Sequence, residues 1–369
     1  MRCKQAHVLL QFMGVFIYSL LLISGCSNEN ERELLFEKLP STKTGLDFQN
    51  VVEESVDLNV VTNEMIYNGA GVAAGDIDND GLTDLLFGSN MGASKLYKNQ
   101  GDFSFLDITE KSGINTAGKW ASGVTMVDIN ADGFLDIYIS YGGPYADSNR
   151  RSNELYINNG DLTFTEKASD YGIDDSGFTT HAVFFDYNLD GFLDLYLLTN
   201  GQGEVPPNVI RPKQTDGEHL NTDRLYRNNG DGSFTNVSEE AGILIEGYGL
   251  GVNMFDINAD GLPDIHAAND FLSNDIIYVN NGDGTFTDQA SNYFRHQSYS
   301  SMGTDFGDIN NDGLMDIIVV DMLPENDARV KQMYQTVGYE RYLSELNSCL
   351  LYTSPSPRDR SLSRMPSSA

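Results

Sequence analysis

The sequence predicts an all-β chain built from repeated four-stranded units, on three observations. An acidic loop of nine residues recurs five times, short runs of β-branched and aromatic residues flank each copy, and Asn-Gly-Asp turns follow at fixed offsets. The loop copies are DIDNDGLTD (76–84), DINADGFLD (128–136), DYNLDGFLD (186–194), DINADGLPD (256–264) and DINNDGLMD (308–316), with starts 52, 58, 70 and 52 residues apart. Repetition at such a period marks one supersecondary unit used many times.

Within a unit, a Gly-rich apolar stretch precedes the loop and predicts a first strand. A run such as LDIYIS or LDLYLL after the loop predicts a second. A Leu-Tyr or Ile-Tyr pair then predicts a third strand in KLYKNQGDFSF (95–105), ELYINNGDLTF (154–164), RLYRNNGDGSF (224–234) and IIYVNNGDGTF (276–286). The Asn-Gly-Asp turn, Gln-Gly-Asp in the first unit, closes a hairpin onto a fourth strand that begins at the Phe. Units run near 66–112, 119–171, 178–241, 248–293 and 300–347. Four-stranded units at this period predict the blades of a β-propeller, here an incomplete ring of about five repeat units in a truncated chain.

Phe36-Glu37-Lys38-Leu39 followed by Gly45-Leu46 parallels the fourth strand and exit of later units, and reads as an orphan fourth strand. The fifth unit gives way after its second strand to a helix-like stretch, Asn326 to Leu346. An unclosed ring with exposed edges carries an aggregation risk.

Both ends stand apart in composition. Arg2 and Lys4, the apolar run Val8 to Ile23 and the ending Ile23-Ser24-Gly25-Cys26 read as a signal segment over 1–25. That ending resembles a bacterial lipobox, which implies lipidation at Cys26 and a membrane attachment through acyl chains alone. Residues 26–33 form an acidic tether, loosely similar to surface-export signals of Gram-negative lipoproteins, so the expected location is extracytoplasmic, on the outer membrane or cell surface. Residues 348–369 are rich in Ser, Pro and Arg, resemble translated adapter sequence and are set aside as non-native. Cys3, Cys26 and Cys349 all lie outside the repeats at 34–347, so the folded region has no disulfide or cysteine-based metal site.

A formal charge of −31, from 54 acidic against 23 basic residues, argues against nucleic acid or anionic lipid as partners. Cations, proteins and glycans fit better.

In each loop, oxygens at positions 1, 3, 5 and 9 form a candidate metal set: Asp76, Asp78, Asp80 and Asp84; Asp128, Asn130, Asp132 and Asp136; Asp186, Asn188, Asp190 and Asp194; Asp256, Asn258, Asp260 and Asp264; Asp308, Asn310, Asp312 and Asp316. The backbone carbonyl at position 7 adds a further oxygen. An EF-hand needs a bidentate Glu at position 12. That position holds Phe87, Ile139, Leu197, Ala267 or Val319, so the helical version is excluded. An all-oxygen, irregular set suits structural Ca²⁺. Turn propensity of Asp and Asn explains some of these residues, but not the same positions filled five times.

With these motifs in place, the units resemble FG-GAP/VCBS repeats, found in the integrin α-subunit propeller and in bacterial lipoproteins related to cartilage acidic protein. The dipeptides that gave FG-GAP its name are poorly kept, and the C-terminal ASPIC/UnbV domain of many such proteins is absent. The resemblance implies Ca²⁺ in the loop between strands one and two, and places the two-to-three and four-to-one connections on the opposite face.

Two long insertions fall on that second face, at 141–153 and 200–223, and carry Tyr141, Tyr145, Arg150, Arg151, Arg211 and Lys213. They are candidates for contact with an acidic glycan or protein. Trp120, Phe178 and Tyr248 each stand eight residues before a loop, and such a repeated aromatic reads as blade packing. His181 breaks register: the other units hold Gly71, Gly123, Gly251 and Gly303. No HExxH, GxSxG, P-loop or dinucleotide motif is present. The expected function is a Ca²⁺-binding extracytoplasmic binding or adhesion module for protein or glycan. The alternatives are a glycan-active enzyme, lyase or glycosidase, or a scaffold for a missing C-terminal domain.

Overall fold

The computed structural model describes residues 36–63, 65–201, 211–271, 273–298, 300–322 and 362–363. The signal segment, Cys26, the acidic tether and the helix-like stretch 326–346 lie outside them. No helix among the described residues is long and apolar enough to cross a membrane. The chain divides into two compact units, 1–43 and 44–369, and the second holds every sheet.

Four sheets have the expected four antiparallel strands in sequence order. The first is β1 (Val72–Gly75), β2 (Asp84–Phe87), β3 (Lys95–Asn99) and β4 (Phe105–Asp107). The second is β5 (Ala121–Val127), β6 (Asp136–Tyr141), β7 (Glu154–Asn158) and β8 (Phe164–Glu166). The third is β9 (Thr179–Phe185), β10 (Asp194–Thr199), β11 (Arg224–Asn228) and β12 (Phe234–Asn236). The fourth is β13 (Gly249–Phe255), β14 (Asp264–Asn269), β15 (Ile276–Asn280) and β16 (Phe286–Asp288). A fifth sheet has β17 (Ser301–Gly307) and β18 (Asp316–Asp321), with the two-residue β19 (Leu362–Ser363) in third place. These are propeller blades, and the ring of sheets is not closed.

The second strand of each blade explains the packing. β6, β10 and β14 are buried at all six positions, because each lies between two neighbouring sheets. Alternate side chains then serve alternate interfaces. Ile137, Ile139 and Tyr141 join Leu86 and Leu96 of the first blade, while Tyr138 joins Leu195 and Leu197 of the third. Tyr196 and Leu198 turn the other way, to Ile265 and Tyr278 of the fourth. In β18 the pattern fails: Val320 is 54% exposed, since among the described residues no further sheet covers that side.

Each interface is stitched at its rim by residues that the repeat keeps. The third-strand tyrosine reaches the exit segment of the preceding blade. Tyr97 Oη donates to Asp47 Oδ1 at 2.8 Å, Tyr226 Oη to Asp175 Oδ2 at 2.8 Å, and Tyr278 Oη accepts from the Ile245 N–H at 3.3 Å. One-turn helices α1 (Ser41–Thr44), α2 (Thr109–Ser112), α3 (Ala168–Tyr171) and α4 (Ala290–Tyr293) occur, the last three directly after a fourth strand. The first three end on left-handed Gly45, Gly113 and Gly172, and Gly242 takes the same place at φ 78°. A Cβ on Gly242 would lie 2.9 Å from the carbonyl oxygen of Phe286, and one on Gly45 only 2.4 Å from that of Phe105. Gly242→Ala is therefore expected to cost roughly 2–3 kcal/mol in denaturant unfolding, from the positive φ and the lost closeness of adjacent blades.

The orphan fourth strand needs correction. Residues 36–39 belong to no sheet and Phe36 is 89% exposed, because no described strand lies beside them to satisfy their N–H and C=O groups. What persists of the repeat there is α1 and Gly45.

Candidate ligand cavity and metal-binding loops

The five acidic loops share one conformation. The position-1 aspartates, Asp76, Asp128, Asp186, Asp256 and Asp308, accept the position-5 N–H at 3.0–3.1 Å and the glycine N–H at 2.8–2.9 Å. The position-5 aspartates accept the position-7 N–H at 2.9 Å. Position 4 is left-handed in every copy although never glycine: Asn79, Ala131, Leu189, Ala259 and Asn311 sit at φ 57–60°. A strained backbone held five times means that the surrounding bonds over-determine it.

Position 9 has a second role beyond the sequence reading. Asp84, Asp136, Asp194 and Asp264 are essentially fully buried. One oxygen of each accepts the position-2 N–H at 2.8–3.2 Å. The other accepts the N–H of Asn99, Asn158, Asn228 or Asn280 at 2.7–2.8 Å. Those asparagines are the last residues of the third strands, just before the turns. Two of their amides also cross to the preceding loops, Asn158 Nδ2 to Ile77 O and Asn280 Nδ2 to Tyr187 O, both at 2.8 Å. Burial raises these carboxyls against the pull of their backbone hydrogen bonds, Asp136 to about 6 and Asp194 to about 7. Nearby carboxylates add to the rise.

The first loop tests whether the residues fit a cation. Asp76, Asp78 and Asp84 each bring an oxygen within 4.8 Å of the others. Asp78 Oδ1 is buried without a hydrogen-bond partner. An unpartnered oxygen among converging carboxylates fits a hard divalent ion. Here Lys98 intervenes, its ammonium bonded to Asp78 Oδ2 and, at 2.7 Å, to Asp80 Oδ2. Burial alone would lower its pKa, but the bonds to Asp78 and Asp80 more than reverse this and raise it. In the next three blades the same position holds Ile157, Arg227 and Val279, while Asp78 is replaced by Asn130, Asn188 and Asn258. Each of those amides donates to the position-5 carboxylate at 2.8–3.0 Å.

At the opposite ends of the first strands lies a cavity of about 690 Å³. Its wall comes from strand-one starts, including Ser122, Thr180 and His181, and from second-strand exits, including Gly142, Tyr145 and Asn200. A seven-residue first strand separates it from the acidic loops by roughly 20 Å.

The insertion residues sort around this cavity. Tyr145 and His181 line it. Tyr141 is corrected: it is fully buried between blades, its hydroxyl donating to Glu154 Oε2 at 2.5 Å. Arg150 lies 3.2 Å over the Tyr145 ring and donates to Gly118 O at 2.7 Å. Arg151 lies 4.3 Å over the Phe178 ring, donates to Ser176 O at 3.1 Å and bonds Tyr145 O. Arg211 forks onto Glu246 at 2.6 Å to each oxygen, beside His219. Lys213 is partly buried and 3.5 Å from Asn274 O; burial lowers its pKa. These cations hold the loops in place.

The repeated aromatics are packing residues. Trp120 and Tyr248 are buried, and Phe178 closes on Gly201, where a Cβ would lie 2.5 Å from the ring.

Comparison with known proteins agrees with this architecture. Cartilage acidic protein 1 of Xenopus tropicalis is 29% identical over 124 residues, 33% of this chain and 19% of that protein. Integrin alpha-8 of Gallus gallus is 29% identical over 151 residues, 36% of this chain and 14% of its own length. Human cartilage acidic protein 1 is 25% identical over 201 residues, covering 53% and 27% respectively. The matches thus span less than a third of these relatives. A sequence profile described as FG-GAP-like repeat matches residues 76–139, 145–197, 215–267 and 256–319, more than half of the chain. Each segment runs from one blade into the next and ends in the second strand just behind an acidic loop, and on the extent of this match the chain belongs to the FG-GAP-like repeat family.

Proposed function

We propose that this chain is a Ca²⁺-binding, extracytoplasmic binding or adhesion module, tethered by a lipid at Cys26, that takes a protein or glycan ligand on the face opposite its acidic loops. The observation that carries the reading is the separation of tasks along the first strands. One end holds five copies of an oxygen-rich loop, four of them locked to a third strand, and the other opens on a cavity whose wall includes residues of the first insertion and Asn200 at the start of the second. Repeats that vary on one face while repeating on the other place recognition on the variable face. Similarity to integrin alpha chains and cartilage acidic protein supports binding over catalysis.

In each loop the oxygens of positions 1, 3, 5 and 9 would hold the ion, and in the first four loops position 9 also anchors the loop to the third strand. The bound ion would neutralise carboxylates that otherwise repel one another. In the first loop Lys98 already supplies one positive charge, so occupancy there is the weakest of the five.

The test is a combined glycan and extracellular-protein array probed with the calcium-loaded chain, with analysis for released products. Retained ligand without product, lost when residues 142–152 are replaced by a short turn, is the expected result. Product release, or binding indifferent to that replacement, would overturn the reading.

A further inference from the structure

The cavity of about 690 Å³ is unusual for its charge. The chain carries a formal −31, yet among the described residues lining this space none is Asp, Glu, Lys or Arg. Its polar wall is made of hydroxyls, carboxamides and one imidazole, including Ser122, Thr180, His181, Asn63 and Asn200. Its apolar wall includes Phe178, Tyr145, Leu250 and Met302. The volume lies within the roughly 300–1,000 Å³ of small-molecule sites, which combine an apolar lining with a few placed polar groups.

Two of those polar groups lack protein partners. Asn200 Oδ1 is buried with no hydrogen bond, while its Nδ2 reaches Gly249 O only at 3.5 Å. Among the described residues the His181 imidazole has no hydrogen-bond partner either, and its ring stands where the sister strands hold glycine. The neighbouring strand makes room for it: a Cβ on Gly123 would lie 3.0 Å from His181 Nδ1 and 2.8 Å from Thr180 O. Burial lowers the histidine pKa, so at neutral pH the ring is uncharged, with one nitrogen donating and one accepting. A hydroxyl, which both donates and accepts, complements that pair.

We propose that this cavity is a binding subsite for one uncharged sugar unit of a glycan, with His181, Asn200 and Thr180 bonding its hydroxyls and Phe178 and Tyr145 packing on its C–H face. The inference rests on the binding reading above and gives it a place and a ligand class. An acidic sugar is disfavoured because no cation is among the described residues that line the space. The nearest guanidiniums, Arg150 and Arg151, lie against the Tyr145 and Phe178 rings and donate to Gly118 O and Ser176 O.

The test titrates the full calcium-loaded chain with methyl glycosides of neutral hexoses and N-acetylhexosamines, followed by calorimetry and saturation-transfer NMR. Glucuronate, sialic acid and an uncharged blocked tripeptide serve as counterparts. One neutral glycoside should bind at a single site. His181→Gly, which restores the glycine of the other blades, should weaken it at least tenfold with the melting temperature held or raised, and Thr180→Val should weaken it several-fold. Neutral-glycoside binding that is undiminished in both variants overturns the inference, as does binding of only the acidic sugars or the tripeptide. If no glycoside binds while the array still finds a ligand, this inference fails alone; if neither finds one, the binding reading fails with it.

Discussion

Adding calcium should raise the melting temperature of this chain by on the order of 10–20 °C over the chelated form. A loop affinity of about 10⁻⁴ to 10⁻³ M, as in extracellular calcium modules, gives each occupied loop about 1.4–2.7 kcal/mol at roughly 10 mM Ca²⁺. Five loops contribute together, because each forms only when its two strands are in place. At about 2–4 °C per kcal/mol for a domain of somewhat smaller size, even partial occupancy is visible in a thermal scan. Equal Mg²⁺ should do less, since that ion demands a more regular octahedron. Lys98→Met should enlarge the calcium effect by removing the ammonium from Asp78 and Asp80. A chelator that moves the transition by less than about 2 °C would mean that the loops hold themselves without metal.

Asp194→Ala should be among the most destabilising single substitutions outside the aromatic core, at about 3–5 kcal/mol. The side chain is fully buried and accepts the Tyr187 N–H at 3.2 Å and the Asn228 N–H at 2.8 Å. Truncation strands both donors in the interior, at about 1–3 kcal/mol each. Asp194→Asn keeps an acceptor and should cost only about 1–2 kcal/mol.

The same residue sets a pH dependence in calcium-free buffer. An unfolded aspartate loses its proton near pH 4, whereas burial holds folded Asp194 at about 7, and Asp136 and Asp223 at about 6. The folded state therefore binds more protons between those limits. Its stability is greatest below pH 4 as far as these groups are concerned, and is lost as pH rises through 6 to 7. Urea midpoints taken between pH 5 and 8 should fall with pH, less steeply in Asp194→Asn. Saturating calcium should flatten or invert the trend, because the ion favours the carboxylate.

Much of this molecule was legible from local pattern. Five identical loop registers, the Leu-Tyr pairs and the Asn-Gly-Asp turns located the strands of four blades, and the apolar position 12 excluded an EF-hand. Even the break at His181 was visible against four glycines. These features lie within one repeat, where chain connectivity alone brings the residues together.

What the sequence by itself determined is therefore the blade: its strands, its acidic loop and the face on which the insertions fall. Only the tertiary structure decided what happens between blades. Tyr141 looked like an insertion residue but is sealed against the first blade, while Asn158 and Asn280, the last residues of their third strands, tie position-9 aspartates to neighbouring loops 81 and 93 residues away. The arginines of the insertions are held by rings, carbonyls and Glu246, and the described residues lining the cavity they border carry no charge. Such facts depend on distances between residues of different repeats. Those distances follow from how sheets stack and from which groups must be satisfied once water is excluded.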